Sequence, residues 1–270
     1  MYPRKLAKST KNARCNLLKQ QLDRGKNCWY YNARAFVSTV SSFITTIVKE
    51  AVVPMIYTVT LNPALDKTVE IPNIALDTVI RITKMRTDPG GKGINVSKVI
   101  AKLGGTSKAI GILAGNSGKA IQDALDGEGL AHNFRFVPGE TRTNLKVIDP
   151  ENHTNTDINE PGIEVDAPEL TALLYDLLKE LKRGDIVVLA GSLPKGAPKD
   201  TYYTWVESCK KAGAKVFLDA DGELLAEGLK AAPYLVKPNN DELSRMVNEF
   251  GMKGASIDPY LAKLPADHRK

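Results

Sequence analysis

The sequence predicts an α/β fold in which helices cover both faces of a doubly wound, mostly parallel sheet. Short runs rich in apolar and β-branched residues predict buried strands at 56–61, 106–113, 185–190, 215–219 and 234–236. Helical patterns separate them at about 95–103, 168–182, 199–212 and 221–230. Continuous apolar runs, as opposed to alternating ones, are typical of parallel strands that are buried on both faces.

The clearest helix pattern lies at 168–182. Its leucines fall on one stripe, at positions 170, 173, 174, 177, 178 and 181. Asp166 and Glu169 predict a capped start with Pro168 in the first turn, and Gly184 predicts the end.

Three strand-like segments without helices between them, at 67–72, 79–86 and 144–149, predict a small antiparallel lid beside the main sheet. The predicted organisation is therefore a basic extension at 1–54, disordered or loosely helical, followed by a domain at 55–270. The lid strands are expected near 67–86 and 133–149.

The positive charge of the chain is confined to its first part. Ten Lys and Arg against two acids make residues 1–54 +8, which leaves −2 for the rest of a chain with a formal net charge of +6. A near-neutral body gives no reason to expect nucleic-acid binding. The bland interpretation of 1–54 is upstream sequence, and the alternatives are a functional basic arm or a targeting peptide around 35–48.

Hydropathy and cysteine spacing both bear on where the protein is located. No run of about 18 apolar residues predicts a membrane span. The three cysteines are scattered, without a C-x-x-C spacing, so neither a disulfide framework nor a zinc site is expected. A cytoplasmic location is therefore predicted.

The segment D-P-G-G-K-G-I-N-V at 88–96 carries the strongest functional signal. Gly90 and Gly91 would let the main chain approach a ligand closely, because they have no Cβ. The start of a helix offers unpaired N–H donors to an anion such as phosphate. Lys92 adds a full charge, and Asn95 can bind a hydroxyl. A tight turn with a glycine helix start remains the alternative.

Further polar groups lie at the ends of predicted strands: Asp66 and Ser192 follow strands, where ligands bind in open α/β sheets, and Arg142 precedes one. Asp66 can accept hydrogen bonds from sugar hydroxyls, Arg142 is a fork donor suited to phosphate, and Ser192 can donate to a ligand. Taken singly, each is also compatible with a turn or a solvated surface residue.

Asn239 and Glu242 lie about one helical turn apart in K-P-N-N-D-E. An amide and a carboxylate at this spacing can hold a hydrated Mg²⁺ beside phosphates, because magnesium retains several waters. The alternative is a helix-capping pair without a ligand.

The order of these motifs is more specific than any one of them. N-P-A-x-D, G-G-K-G-x-N, T-R-T-N, N-E-P-G, G-S-L-P-x-G and K-P-N-x-x-E-L resemble the phosphofructokinase-B branch of the ribokinase-like sugar kinases, from residue 55 to about 246. The motifs are most similar to kinases of fructose 1-phosphate, with kinases of tagatose 6-phosphate as the alternative.

The resemblance implies a ribokinase-like fold and transfer of the γ-phosphoryl group of ATP to a sugar phosphate, with fructose 1,6-bisphosphate as the product from fructose 1-phosphate. It implies a lid-mediated homodimer in which Arg81 reaches the phosphate of the neighbouring site. ATP and Mg²⁺ would face Lys237, Asn239 and Glu242, with Glu242 at the metal. The sugar phosphate would be held by Asp66, Gly90, Gly91, Lys92, Asn95, Arg142, Asn144 and Ser192.

One family motif is not found. The G-A-G-D segment that supplies the general base does not occur after Met246, and neither Asp258 nor Asp267 has its glycine context. The catalytic residue is therefore unassigned, and the domain is expected to lack its C-terminal part. Because a general base contributes about 10²–10⁴ in rate, we expect poor turnover. A non-catalytic fragment that binds a sugar phosphate is the alternative.

Overall fold

The computed structural model describes residues 53–239 and Glu242. The chain divides into two units, Met1–Val53 and Pro54–Lys270, and the described helices and strands lie in the second. The predictions for residues 1–52 and for the segment after Glu242 lie outside the described residues.

The main sheet has six strands in the order β10-β9-β8-β1-β4-β5, and every neighbouring pair is parallel. This confirms the predicted parallel sheet, because each continuous apolar run becomes a strand within two residues of its expected start. The strands are β1 Ile56–Thr60, β4 Lys108–Ala114, β5 Ala131–Val137, β8 Ile186–Ala190, β9 Lys215–Asp219 and β10 Leu235–Val236.

Five helices of the described region accompany the sheet: α1 Lys92–Lys102, α2 Gly115–Gly127, α3 Ala167–Glu180, α4 Thr201–Lys211 and α5 Gly222–Leu229. Ile112 and Leu113 are neighbours in β4 but belong to different buried clusters, because successive side chains point to opposite faces of a strand. Leucines of α3 pack in the first cluster, and Ile121 of α2 packs in the second. The sheet is therefore covered on both faces.

The predicted helix at 168–182 is confirmed as α3. Asp166 is its N-cap and accepts the main-chain N–H of Glu169 at 3.1 Å. Four of its leucines, at 170, 173, 174 and 177, are buried. None of the helices in the described region is both long and apolar enough to cross a bilayer.

A second sheet of four strands has the order β3-β2-β6-β7. Its strands are β2 Ala64–Glu70, β3 Lys84–Gly90, β6 Thr143–Asp149 and β7 Thr154–Asn159. The outer pairs are antiparallel, as predicted for the lid, but the central pair β2–β6 is parallel, so the second sheet is mixed. Each central strand follows the carboxyl end of a parallel main-sheet strand, β1 or β5, and both therefore leave in the same direction.

Several boundaries also differ from those predicted. The predicted lid range 133–149 includes most of β5, which instead pairs with β4 at the edge of the main sheet. Strand β5 has only one neighbouring strand, because it lies at the edge of the main sheet. Its sequence is therefore partly polar, as was expected of a lid strand. The strand expected at 79–86 begins only at Lys84, while strand β7 and helix α2 were not predicted.

The carboxylate of Asp149 holds the end of the second sheet together. It accepts main-chain N–H groups of Asn73, Ile74, Glu151 and Asn152, and the side-chain amide of Asn152 at 2.8 Å. The bond from the Asn152 side chain is the largest cause that lowers the pKa of Asp149, and the main-chain donors add to it, whereas burial acts in the opposite direction.

Asp149→Asn is expected to loosen this end of the second sheet. Because the folded-state pKa lies below the unfolded one, the contribution of Asp149 to stability is present above about pH 4 and is lost as the pH falls further. Amide hydrogen exchange at Asn73 and Ile74 measures this: the wild type should lose protection as the pH is lowered through this range. The variant should be weakly protected throughout, and equal protection at pH 6 would contradict the expectation.

Candidate active site

A cavity of about 340 Å³ lies at the carboxyl ends of the main-sheet strands. Strand β1 stands between β4 and β8, where the strand order reverses, and this is the point at which open α/β sheets bind ligands. The cavity is lined by Thr60, Asn62, Asp66, Gly91, Lys92, Asn95, Arg142, Asn144, Asn159, Gly191, Ser192 and Asp221.

Seven of the residues predicted to hold the sugar phosphate therefore meet in one place: Asp66, Gly91, Lys92, Asn95, Arg142, Asn144 and Ser192. Sequence reasoning missed five others, namely Thr60, Asn62, Asn159, Gly191 and Asp221. Three of them, Asn62, Asn159 and Gly191, lie inside the motifs already singled out. Their membership of those motifs was the available signal.

Helix α1 begins at Lys92, three residues earlier than predicted, with Gly91 as its N-cap at φ 121°. This backbone conformation favours glycine. A Cβ on Gly93 would lie 2.7 Å from the carbonyl oxygen of Val59, so only glycine allows α1 to pack this closely on β1. The first turn of α1 thereby faces the cavity.

Asp66 lies in strand β2, and Asn144 of β6 is its partner in register. The Asn144 amide donates to Asp66 Oδ1 at 3.0 Å. Burial raises the pKa of Asp66, while the Asn144 bond and the charge of Arg142 oppose that shift. Gly90 does not line the cavity but lies against Asp66. The contact is so close that a Cβ on Gly90 would overlap the Asp66 carboxylate. Asn144 Oδ1 is buried and has no partner among the described residues.

Arg142 is half-buried, which excludes the alternative of a solvated surface arginine. Its guanidinium donates to the carbonyl oxygens of Asn62 at 3.0 Å and Glu160 at 3.1 Å, and more weakly to that of Pro63 at 3.4 Å. Burial lowers the pKa of Arg142, and the carboxylates of Asp66 and Glu160 oppose the shift. A guanidinium has five N–H donors, so two remain for a ligand.

The loop before Arg142 is anchored to the main sheet. The N–H of Thr141 donates to the carbonyl of Ala114 at 2.9 Å, and the Thr141 hydroxyl accepts the Ala114 N–H at 2.8 Å. Glu140 accepts the main-chain N–H groups of Asn116 and Ser117 at the start of α2. These contacts fix where Arg142 enters the cavity.

A cluster of alternating charges borders the cavity on the side of β9. Lys92 Nζ lies 3.0 Å from Asp219 Oδ1 and 3.5 Å from Glu242 Oε1, and Lys237 Nζ lies 3.2 Å from Asp219 Oδ2. Burial by itself would lower the pKa of Lys92, but the two carboxylates outweigh it and the net shift is upward. Lys92 therefore remains charged. It lies between the residues predicted to bind the sugar phosphate and those predicted to bind ATP.

Asn239 and Glu242 form the capping pair that the sequence left open as an alternative. The Asn239 N–H donates to Glu242 Oε2 at 2.8 Å, and the Glu242 N–H donates to Asn239 Oδ1 at 2.7 Å. The described residues contain no group of three or more His, Cys, Asp or Glu that could hold a metal by itself. Asp219 and Glu242 each place a carboxylate oxygen within 3.5 Å of the same Lys92 Nζ, and carboxylate oxygens are the ligands that a hydrated Mg²⁺ takes.

Two other places lie apart from this cavity. Arg81 is exposed on the segment that connects β2 and β3, and it does not line the cavity. A larger hollow of about 570 Å³ lies near the amino end of β9, lined by Arg183, Lys210, Lys211, Lys215 and Tyr234 among others. It contains none of the predicted site residues, so the smaller cavity is the candidate site.

The match to a family model settles the class of protein. Residues 59–270 match the pfkB family of carbohydrate kinases, and the chain belongs to that family. This confirms the resemblance noted in the sequence and agrees with the parallel sheet and the second, mixed sheet.

Two relatives of this chain are 1-phosphofructokinases. The 1-phosphofructokinase of Bacillus subtilis is 39% identical over 213 residues, which are 78% of this chain and 68% of the relative. That of Xanthomonas campestris is 41% identical over 69% of this chain and 60% of its own length. The chain thus spans between 60% and 68% of the length of these relatives.

Solved structures agree with the sequence relatives. Phosphofructokinase-2 of Escherichia coli, in complex with fructose 6-phosphate, superposes with a TM-score of 0.69 at 33% identity, covering 72% of this chain and 64% of that one. Another structure of the same protein is a tetrameric inhibited form, with a TM-score of 0.68 at the same identity and coverage.

Proposed function

We propose that this chain binds fructose 1-phosphate and transfers the γ-phosphoryl group of ATP to its free primary hydroxyl, giving fructose 1,6-bisphosphate. The convergence of Asp66, Lys92 and Arg142 on one cavity at the sheet switch point carries the proposal. The family and the named relatives support it, since the relatives from Bacillus subtilis and Xanthomonas campestris are 1-phosphofructokinases.

Each side chain has a role that its contacts allow. Asp66 would accept sugar hydroxyls, because one carboxylate oxygen is bonded to Asn144 and the other has no bond among the described residues. The two unused N–H groups of Arg142 and the hydroxyl of Ser192 would hold the phosphate. The first turn of α1 would supply main-chain N–H donors and a partial positive charge, which suit an anionic substrate.

The nucleotide side would be formed by Lys237, Asn239 and Glu242, with Lys92 between it and the sugar. Mg²⁺, held through water by Glu242 and Asp219, would neutralise phosphate charge when bound. Transfer forms a bond between the sugar oxygen and phosphorus, breaks the bond to the β-phosphate, and releases the hydroxyl proton. We assign no acceptor for that proton among the described residues.

A coupled assay with ATP, Mg²⁺ and fructose 1-phosphate tests the activity, and calorimetry with the sugar phosphate alone tests binding. Turnover with fructose 1-phosphate but not tagatose 6-phosphate supports the proposal, whereas the reverse selectivity favours the tagatose 6-phosphate alternative. Binding without turnover supports a non-catalytic binding fragment. Absence of both in the chain, and in a version extended with the C-terminal part of the Bacillus relative, excludes all three.

We propose a homodimer formed through the second sheet, in which Arg81 would reach the phosphate of the neighbouring site. Its surface and the connection from β2 to β3 expose apolar side chains that a monomer would leave in water, including Leu76 at 93% and Ile82 at 52%. Others are Ile74, Val79, Ile80, Met85 and Ile158.

A cytoplasmic location stays a prediction from the cysteine pattern.

Leu76→Glu combined with Ile82→Glu is expected to convert a dimer to a monomer, because buried charges without partners are costly. Light scattering after size exclusion measures the mass. Leu103→Glu, at an 82% exposed position at the end of α1, is the matched control and should leave the mass unchanged. A monomeric wild type, or a double variant that keeps its dimer mass, would contradict the proposal.

A further inference from the structure

Asn62 is nearly fully buried, with 4% of its surface exposed, and it lies between the two groups proposed to hold the phosphate. Its carbonyl oxygen accepts from Arg142 Nη2 at 3.0 Å. Its side-chain Nδ2 donates to Ser192 Oγ at 3.2 Å. One residue thus touches both phosphate-binding candidates, one through its main chain and the other through its side chain.

The orientation of the Asn62 amide is determined by its neighbours. Nδ2 lies 3.1 Å from the carbonyl of Pro161 and 3.2 Å from that of Leu193, and carbonyl oxygens can only accept. The atom that faces them must therefore be the NH₂ group. Oδ1 then faces Gly162, at φ 96°, where a Cβ would overlap the amide oxygen.

This orientation decides what the hydroxyl of Ser192 can do. A hydroxyl has one proton to donate and two lone pairs that accept. The Asn62 NH₂ group shares its two protons among Ser192 Oγ and the two carbonyls and cannot accept, so the Ser192 proton is not used in this contact. The Ser192 hydroxyl forms no other hydrogen bond within the described part of the chain. Its proton is therefore available to a ligand in the cavity.

We propose that Asn62 is a positioning residue that keeps the Ser192 hydroxyl as a donor to the substrate phosphate and sets its distance from Arg142. The inference rests on the proposed function, because it concerns the phosphate end of the same site. It assigns to Asn62 selectivity for a phosphorylated sugar over the free sugar.

Asn62→Asp tests this with almost no change in shape. The new carboxylate oxygen would face two carbonyls and would accept the Ser192 proton, so Ser192 would no longer donate to the ligand. Calorimetry should show the affinity for fructose 1-phosphate falling by about tenfold to hundredfold, as for a hydrogen bond to a charged group, while that for fructose changes little. Asn155→Asp, on the exposed strand β7, is the matched control and should bind both ligands as the wild type does.

Ser192→Ala and the double variant separate positioning from general loosening. Ser192→Ala should lose the same phosphate affinity, and the double variant should lose no more than either single variant. Additive losses, or equal weakening for fructose and fructose 1-phosphate, would overturn the inference. An unchanged affinity in Ser192→Ala would overturn it too, even if Asn62→Asp failed to fold.

Failure of the proposed function gives a different result. If the wild-type chain does not bind fructose 1-phosphate, the proposed function fails and the role of Asn62 fails with it. If the wild type binds and the variants show the overturning pattern, only the role of Asn62 is lost.

Discussion

Arg142→Ala is expected to abolish most sugar-phosphate binding, with affinity for fructose 1-phosphate falling by about 100-fold or more. Two charge-assisted donors to the phosphate would be lost. Arg142→Lys should recover only part of the affinity, because an ammonium group cannot reproduce the planar fork that contacts Asn62, Glu160 and a ligand together. Calorimetry with fructose 1-phosphate measures both effects.

The control for this prediction is Arg183→Ala, an exposed arginine in the hollow near the amino end of β9. Its affinity for fructose 1-phosphate should equal that of the wild type. Melting temperatures recorded without ligand show how much of the effect is structural, since Arg142 also joins two loops. A phosphate affinity that is insensitive to Arg142 would refute the placement of the phosphate in this cavity.

Gly93→Ala is expected to give the largest loss of stability, about 3 kcal/mol in the free energy of unfolding. The new methyl group would lie 2.5 Å from Thr60 Oγ1 and 2.7 Å from Val59 O, and a strand backbone cannot move as a side chain can. Helix α1 would have to shift away from β1 and lose the bond from the Ile94 N–H to Thr60 Oγ1. Sugar-phosphate binding should weaken as well, because the first turn of α1 lines the cavity.

Gly127→Ala is the matched control, at the last residue of α2, where an added Cβ meets nothing within 4 Å. Both substitutions replace a helical glycine by a better helix former, which in isolation stabilises by about 1 kcal/mol. Denaturant unfolding should therefore show a loss of stability for Gly93→Ala and either no change or a gain for Gly127→Ala. Equal effects in the two variants would mean that helix propensity, not the approach of α1 to β1, dominates at Gly93.

Much of the main sheet could be predicted because its signals are local. A strand buried on both faces needs an apolar run, so β1, β8 and β9 are visible as such in the sequence. Helix α3 is equally local, since its cap at Asp166 and its leucine stripe depend on residues within a few turns. The order of the motifs also determined the family, because short motifs and their order along the chain can be read directly from the sequence.

The second sheet and the finer geometry of the site could not be predicted in this way. Whether β2 and β6 run parallel depends on how distant segments leave the main sheet, and nothing local to either strand records it. The sequence left a solvated side chain open as the alternative for Arg142, but its hydrogen bonds go to carbonyl oxygens about 80 residues away, or about 18 in the case of Glu160. The same holds for Asn62, whose partners on two other loops lie about 100 and 130 residues further along.

The sequence by itself determined the parallel α/β class, the family and most of the residues that meet in the cavity, because apolar periodicity and motif order are properties of neighbouring residues. Only the tertiary structure decided the mixed second sheet, the charge cluster around Lys92 and the central place of Asn62. Those features depend on main-chain carbonyls and carboxylates supplied by segments far apart in the chain, which come into hydrogen-bonding distance only when the sheet has formed.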